Sequence, residues 1–272
     1  MSLETVVLAL GLLGTGAVAG LIAGLLGVGG GIVIVPVLFH VLPLAGVEEA
    51  VRMHLAVGTS LATIIATSIV SARAHYARGA VDVGLLRRLG PWILLGVIGG
   101  SALGGSAGGD TLTMIFAAVA VIVAANMAFR NEGVTVRQGL PSLPWRQLIA
   151  LGIGGFSVVM GIGGGTLSVP ILTLFAVPIR RAVGTAAAIG LIIGLPGTLG
   201  FVIAGWKNPD LPLFSLGYVN LLGFALIAPT SALLAPRGAA LAHAISPRLL
   251  RYAFALFLFI TSLRMAANVL VH

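Results

Sequence analysis

Leu26-Gly27-Val28-Gly29-Gly30-Gly31-Ile32-Val33-Ile34-Val35-Pro36-Val37-Leu38 and Met160-Gly161-Ile162-Gly163-Gly164-Gly165-Thr166-Leu167-Ser168-Val169-Pro170-Ile171-Leu172 align without a gap, 134 residues apart. Each couples a glycine run to a short apolar run interrupted by proline. Working outward, Ala56-Val57-Gly58-Thr59 matches Ala182-Val183-Gly184-Thr185 at a spacing of 126, the intervening loop having lost eight residues. Ser101-Ala102-Leu103 then matches Ser231-Ala232-Leu233 at a spacing of 130. Three matches in the same order identify an internal duplication. The halves are residues 1–130 and 147–272, joined by a polar linker, 131–146, that holds Asn131, Glu132, Gln138, Pro141 and Pro144.

The medium around the halves follows from composition. Of 272 residues, 58% are hydrophobic and 8% charged, whereas a soluble domain carries about 25% charged residues. Most of the outer surface must therefore face lipid. Ten apolar segments can be marked, at 5–26, 31–44, 54–76, 91–107, 111–129, 147–160, 166–178, 182–204, 213–235 and 252–271. Segments 31–44, 91–107, 147–160 and 166–178 are short for a core of about 30 Å at about 1.5 Å per residue. The expected fold is an all-α polytopic membrane protein, one integrated membrane domain with five segments per half and broken or re-entrant helices at the glycine runs. The net charge of +8 and pI near 11.5 arise from basic residues in short loops, which sets topology and argues against nucleic-acid binding. The apolar run from Thr5 follows Glu4 rather than a positive segment, so it reads as retained membrane structure rather than a cleaved signal. Cysteine is absent, which removes thiol chemistry.

An odd number of segments per half inverts the second half against the first. When loops are assigned alternately to two sides, one side collects 12 basic residues and the other, with Arg52, Lys207 and Arg264, collects 3. Fusing each glycine-flanked pair into one passage gives 9 to 6, with no usable bias. The first parity places the linker in the cytoplasm and both termini outside it. It leaves open whether each glycine hairpin crosses or dips and returns.

Short, Gly/Pro-interrupted segments at matching places in inverted halves point to a transporter binding site. Helices starting after Gly31 and Gly165 would aim unpaired N–H groups and positive dipole ends at the glycine turns, an anion site needing no charged side chain. The candidate substrate-binding residues are Gly27, Gly29, Gly30, Gly31, Gly161, Gly163, Gly164 and Gly165, with Thr59, Ser60 and Thr185, whose hydroxyls either donate to an oxyanion or back-bond to a helical carbonyl. Arg264, a charge inside the last apolar segment, either contacts substrate or snorkels. Arg52 and His54 read as interfacial residues, with a role at an anion entry or exit as the alternative. The ladder Gly96, Gly100 and Gly104 lacks the proline break and reads as close helix packing. All seven acidic residues fall in loops or at segment ends, so none is placed as a buried proton relay.

The doubled Leu/Met-Gly-x-Gly-Gly-Gly…Val-Pro motif, each copy followed by Ala-Val-Gly-Thr, resembles the sulfite exporter TauE/SafE family of membrane permeases. The likeness covers nearly the whole chain, including His75-Tyr76-x-Arg78-Gly79-x-Val81-Asp82. It implies a transporter of sulfite, sulfonate, sulfoacetate or related oxyanions in the bacterial inner membrane. It does not name the cargo. The alternative within transport is a channel-like facilitator or a permease for a different small solute. No Ser/His pair, HExxH motif, paired membrane carboxylates or P-loop supports an enzyme or an ATP-driven pump. The expected partners are a small anion and the lipid bilayer, with no cofactor and no metal. Oligomeric state is not legible in the sequence.

A periplasm-active reporter fused after His272 should score active, and one inserted between 131 and 146 inactive. The reverse pattern would overturn the five-plus-five topology.

Overall fold

The computed structural model describes residues 3–26, 30–129, 135–241 and 247–271, most of them helical. The first half contributes α1 (Leu3–Leu26), α2 (Gly31–Val41), a 3-10 turn (Leu42–Ala45), α3 (Glu49–Ala77), α4 (Val83–Ser106) and α5 (Gly109–Phe129). The second contributes α6 (Trp145–Val159), α7 (Gly164–Leu174), α8 (Ile179–Gly205), a small hairpin of β1 (Ser215–Leu216) and β2 (Val219–Asn220), α9 (Leu221–Leu241) and α10 (Pro247–Val271). Among the described residues, six helices are long and apolar enough to cross a membrane. The chain is an all-α polytopic membrane protein. Its outward faces carry large side chains such as Leu103, Ile122, Ile203 and Leu233, which only lipid would solvate without penalty.

Three of the four segments expected to be short are short. Helices α2 and α7 have 11 residues each, about 16 Å of rise, and α6 has 15, about 22 Å. The fourth expectation is corrected. Helix α4 runs for 24 residues, because Arg87, Arg88 and Pro91 interrupt the apolar run without interrupting the helix. Both arginines are exposed. The segment expected from 213 also starts later, because residues 215–220 turn back on themselves as the hairpin, with Ser215 opposite Asn220.

Helix α3 is the most enclosed of the long helices. The principal packing pairs are α1 on α9, α4 on α6, α3 on α8, α5 on α10, α4 on α8, α3 on α9, α2 on α3 and α7 on α8. Exchanging the two halves turns each of these pairs into another member of the set or into itself. The duplication therefore extends from sequence into packing. Glycines let the paired helices touch backbone to backbone. A side chain at Gly96 would strike Leu151 of α6, one at Gly154 would strike Ile93 and Val97 of α4, and one at Gly20 would strike Ser231 of α9.

Two of the three glycines of α6 provide a controlled test. Gly154 is packed against α4, whereas nothing lies within 4 Å of a side chain added at Gly152. Gly154→Leu should destabilise the protein by about 1–3 kcal/mol, read as a lower melting temperature in detergent, while Gly152→Leu should melt like the parent. Equal melts would show that α4 and α6 do not meet through their backbones.

Candidate functional site

The second glycine run makes its turn on the last carbonyls of α6. The N–H of Gly161 donates to the Val158 carbonyl at 3.1 Å and that of Ile162 to the Ser157 carbonyl at 2.9 Å. Gly161 has φ +63°, a left-handed conformation that glycine adopts at little cost. Its carbonyl is left to face α3, where the Ser60 hydroxyl donates to it at 2.7 Å. The first residue of α2 arrives at the same point: a Cβ on Gly31 would lie 2.5 Å from the Gly161 oxygen and 3.0 Å from the Ser60 hydroxyl. The beginnings of α2 and α7 and the middle of α3 thus converge in the buried interior.

Of the residues expected at the site, the structure brings Gly31, Ser60 and Gly161 into contact. Gly30 lies beside Ala19 of α1, and Gly164 packs against the Ala186 carbonyl and the Gly190 amide of α8. Gly163 and Gly165 are buried with them. Gly27 and Gly29 lie outside the described residues. Beside Gly161 and Gly164, the close neighbour that glycine admits is backbone of an adjoining helix, and beside Gly31 it is the carbonyl of the Gly161 turn. Arg264 is not part of this group; it sits on an exposed face of α10.

Thr59 and Thr185 have reciprocal tasks. The Thr59 hydroxyl oxygen accepts from the backbone amide of Asn220 at 2.9 Å, and that of Thr185 accepts from the amide of Asp82 at 3.0 Å. Asn220 and Asp82 each stand at the start of a helix in the opposite half. Each side chain also caps that helix, Asn220 accepting from the Gly223 amide at 2.7 Å and Asp82 from the Leu85 amide at 2.9 Å. The two threonines act here as acceptors that bracket one half to the other.

Sequence reasoning missed several polar groups. Ser157 and Ser168 flank the second glycine turn, both fully buried, with hydroxyls that have no hydrogen-bond partner. Ser68 of α3 faces Gly190, close to the Gly164 amide. Their one sequence signal was polarity within otherwise apolar segments. His54, read as interfacial, is 3% exposed. The start of α3 at Glu49 puts it inside the helix, where Tyr218 of the hairpin covers it. Among the described residues, the buried polar side chains are hydroxyls plus His54, with no carboxylate, lysine or arginine, and no group of three His, Asp or Glu is placed to hold a metal ion. The first amides of α2 and α7 supply partial positive charge to this interior.

The brackets can be tested by removing the acceptor while keeping the shape. Thr59→Val or Thr185→Val strands a backbone amide and should cost about 1–3 kcal/mol, whereas Thr→Ser at either position should restore most of it. Thermal melts in detergent read the difference; valine variants as stable as the parent would show that the brackets carry no load.

Residues 12–265 match the family described as sulfite exporter TauE/SafE. The chain is 36% identical over 257 residues to a probable membrane transporter protein of Haemophilus influenzae, covering 92% of this chain and 95% of the relative. It is 28% identical over 242 residues to a probable membrane transporter protein of Xylella fastidiosa, covering 85% and 86%. A probable membrane transporter protein of Methanocaldococcus jannaschii shares 24% over 212 residues, 76% of each chain. No solved structure gives a significant match. The family match spans all ten helices at least in part, and with it the conclusion is direct: the chain belongs to the sulfite exporter TauE/SafE family and is a multi-pass membrane transporter, not an enzyme.

Proposed function

We propose that this transporter exports a small sulfur-containing or organic oxyanion across the inner membrane, binding it where the start of α2 meets the Gly161 turn. The observation that carries this reading is the character of the buried interior. Two helix N-termini enter it, hydroxyls line it, and no buried carboxylate among the described residues would repel a negative charge. Gly30, Gly31, Ser60, Gly161, Gly163, Gly164 and Gly165, with Ser157 and Ser168, form the proposed binding region. Thr59 and Thr185 hold the two halves around it. The arrangement is closed, so access requires one half to move against the other, as inverted halves related by a two-fold in the membrane plane would do. The 12-to-3 excess of basic residues would gather anions on the cytoplasmic side, which supports export.

Purified protein in proteoliposomes tests this. Labelled sulfite and methanesulfonate should exchange saturably and faster when unlabelled anion is present on the far side, the mark of a carrier rather than a channel. Ser60→Ala strands the Gly161 carbonyl, so it should insert, lose about 1–3 kcal/mol of stability and turn over several-fold more slowly. Movement of uncharged or cationic solutes with no oxyanion exchange would overturn the proposal.

A further inference from the structure

Helix α3 carries five buried hydroxyls, and the fold uses four of them. Thr59 accepts from the Asn220 amide, Ser60 donates to the Gly161 carbonyl, Thr63 to the Ser60 carbonyl, and Thr67 to the carbonyls of Thr63 and Ile64. Ser68 is the fifth. Its hydroxyl makes no hydrogen bond among the described residues. The carbonyl four residues before it, the usual outlet for a helical serine, already takes Thr67. At 6% exposure Ser68 is buried without being sealed, whereas Ser157 and Ser168 stand at 0%.

The free hydroxyl faces the start of α7. At Gly190 of α8, the Ser68 oxygen lies closer than its own Cβ to the place where a side chain would begin. The Gly164 nitrogen lies 3.8 Å from that same place. Gly163 gives α7 no side-chain cap, so the amides of Gly164 and Gly165 have no partner within the helix. The positive end of the helix dipole thus sits beside a hydroxyl with a proton to donate. Backbone and hydroxyl donors converging where no carboxylate is buried among the described residues suit an oxyanion. Glycine at 190 is what leaves Ser68 and α7 facing each other.

Packing alone does not require this serine. In the repeat, Ser68 corresponds to Gly194 and Gly190 to Ile64. Gly194 packs against Leu61, Ile64 and Ile65, and Ile64 reaches Gly31 at the start of α2. The matching corner of the molecule is therefore completed by apolar atoms, with no hydroxyl in the place of Ser68. Ser60 and Ser68 stand eight residues apart on α3, about 12 Å along its axis. Ser68 lies toward the end that carries the exposed Arg73 and Arg78. We propose that Ser68 and the first amides of α7 form a second station for the oxyanion, met before the Ser60 crossing by an anion that enters at the basic end of α3. This rests on the oxyanion reading above.

Ser68 has no hydrogen bond to lose, so Ser68→Ala should melt like the parent in detergent. Its KM for the anion that the parent exchanges in proteoliposomes, methanesulfonate or sulfite, should rise about tenfold, the worth of one hydrogen bond to a charged group. The chain has no cysteine, so Ser68→Cys places a single thiol at the station. Methanesulfonate should saturably slow its modification by N-ethylmaleimide, while the thiol of Ser71→Cys, three residues on and half-buried, should react at one rate with or without the anion. A parent-like KM in Ser68→Ala would overturn the station and leave the oxyanion transporter standing. A raised KM that comes with a lower melt would also overturn it, by assigning Ser68 to packing. If the alanine variant does not insert, a Ser68→Cys thiol that the anion leaves unprotected overturns it instead. A parent that exchanges no oxyanion would overturn both readings.

Discussion

Inside hydrocarbon a backbone amide or carbonyl finds no water, and each one left bare costs several kcal/mol. A chain that starts two helices in its own buried interior must therefore satisfy the freed groups from elsewhere in the protein. Here the answer comes from close contact between halves. The Gly161 carbonyl takes the Ser60 hydroxyl, and Gly31 is pressed against the same oxygen. A methyl group at either glycine would separate the elements that do this work. The glycine runs are thus first a packing requirement, and any ligand they admit must enter when that packing loosens.

The two halves share a frame but not a lining. Thr59 and Thr185 perform matching tasks on matching helices. Ser60, by contrast, falls in register with Ala186, and Ser168 with Ile34. The polar groups near the crossing therefore come from α3 of one half and from α6 and α7 of the other, without counterparts in the repeat. Such a molecule can keep a symmetric hinge while presenting a one-sided surface to its cargo.

Much of the frame was legible because membrane helices announce themselves by length and apolarity. Eight of the ten segments match helices within about five residues; the helix read from 91 begins at Val83, and the segment read from 213 is helix only from Leu221. Helix α4 was read short because Arg87, Arg88 and Pro91 break an apolar run, though charges at an exposed helix end and one proline do not end a helix. The hairpin at 215–220 was hidden because Leu213 and Phe214 in front of it extend the apolar run, although neither is helical. The threonine brackets join residues 161 and 103 positions apart, which no local pattern reveals. His54 depends on Tyr218 in the same way. The glycine crossing was legible as a place; its partners were not.

Consider the bracket between Thr185 and the Asp82 amide in the order in which the chain is made. At about 5–20 residues per second, the 103 residues between them take roughly 5–20 s to synthesise. During that interval the start of α4 is in place without its acceptor, and the Ser60 hydroxyl waits for a turn not yet translated. The first half can insert early but cannot settle, since its ties are to sequence still inside the ribosome. A nascent half in that condition is open to substitutes, including the corresponding half of another chain. The same ties that lock the finished protein make the second half a template its predecessor must await, so truncation after the linker should leave an inserted product that is never fully assembled.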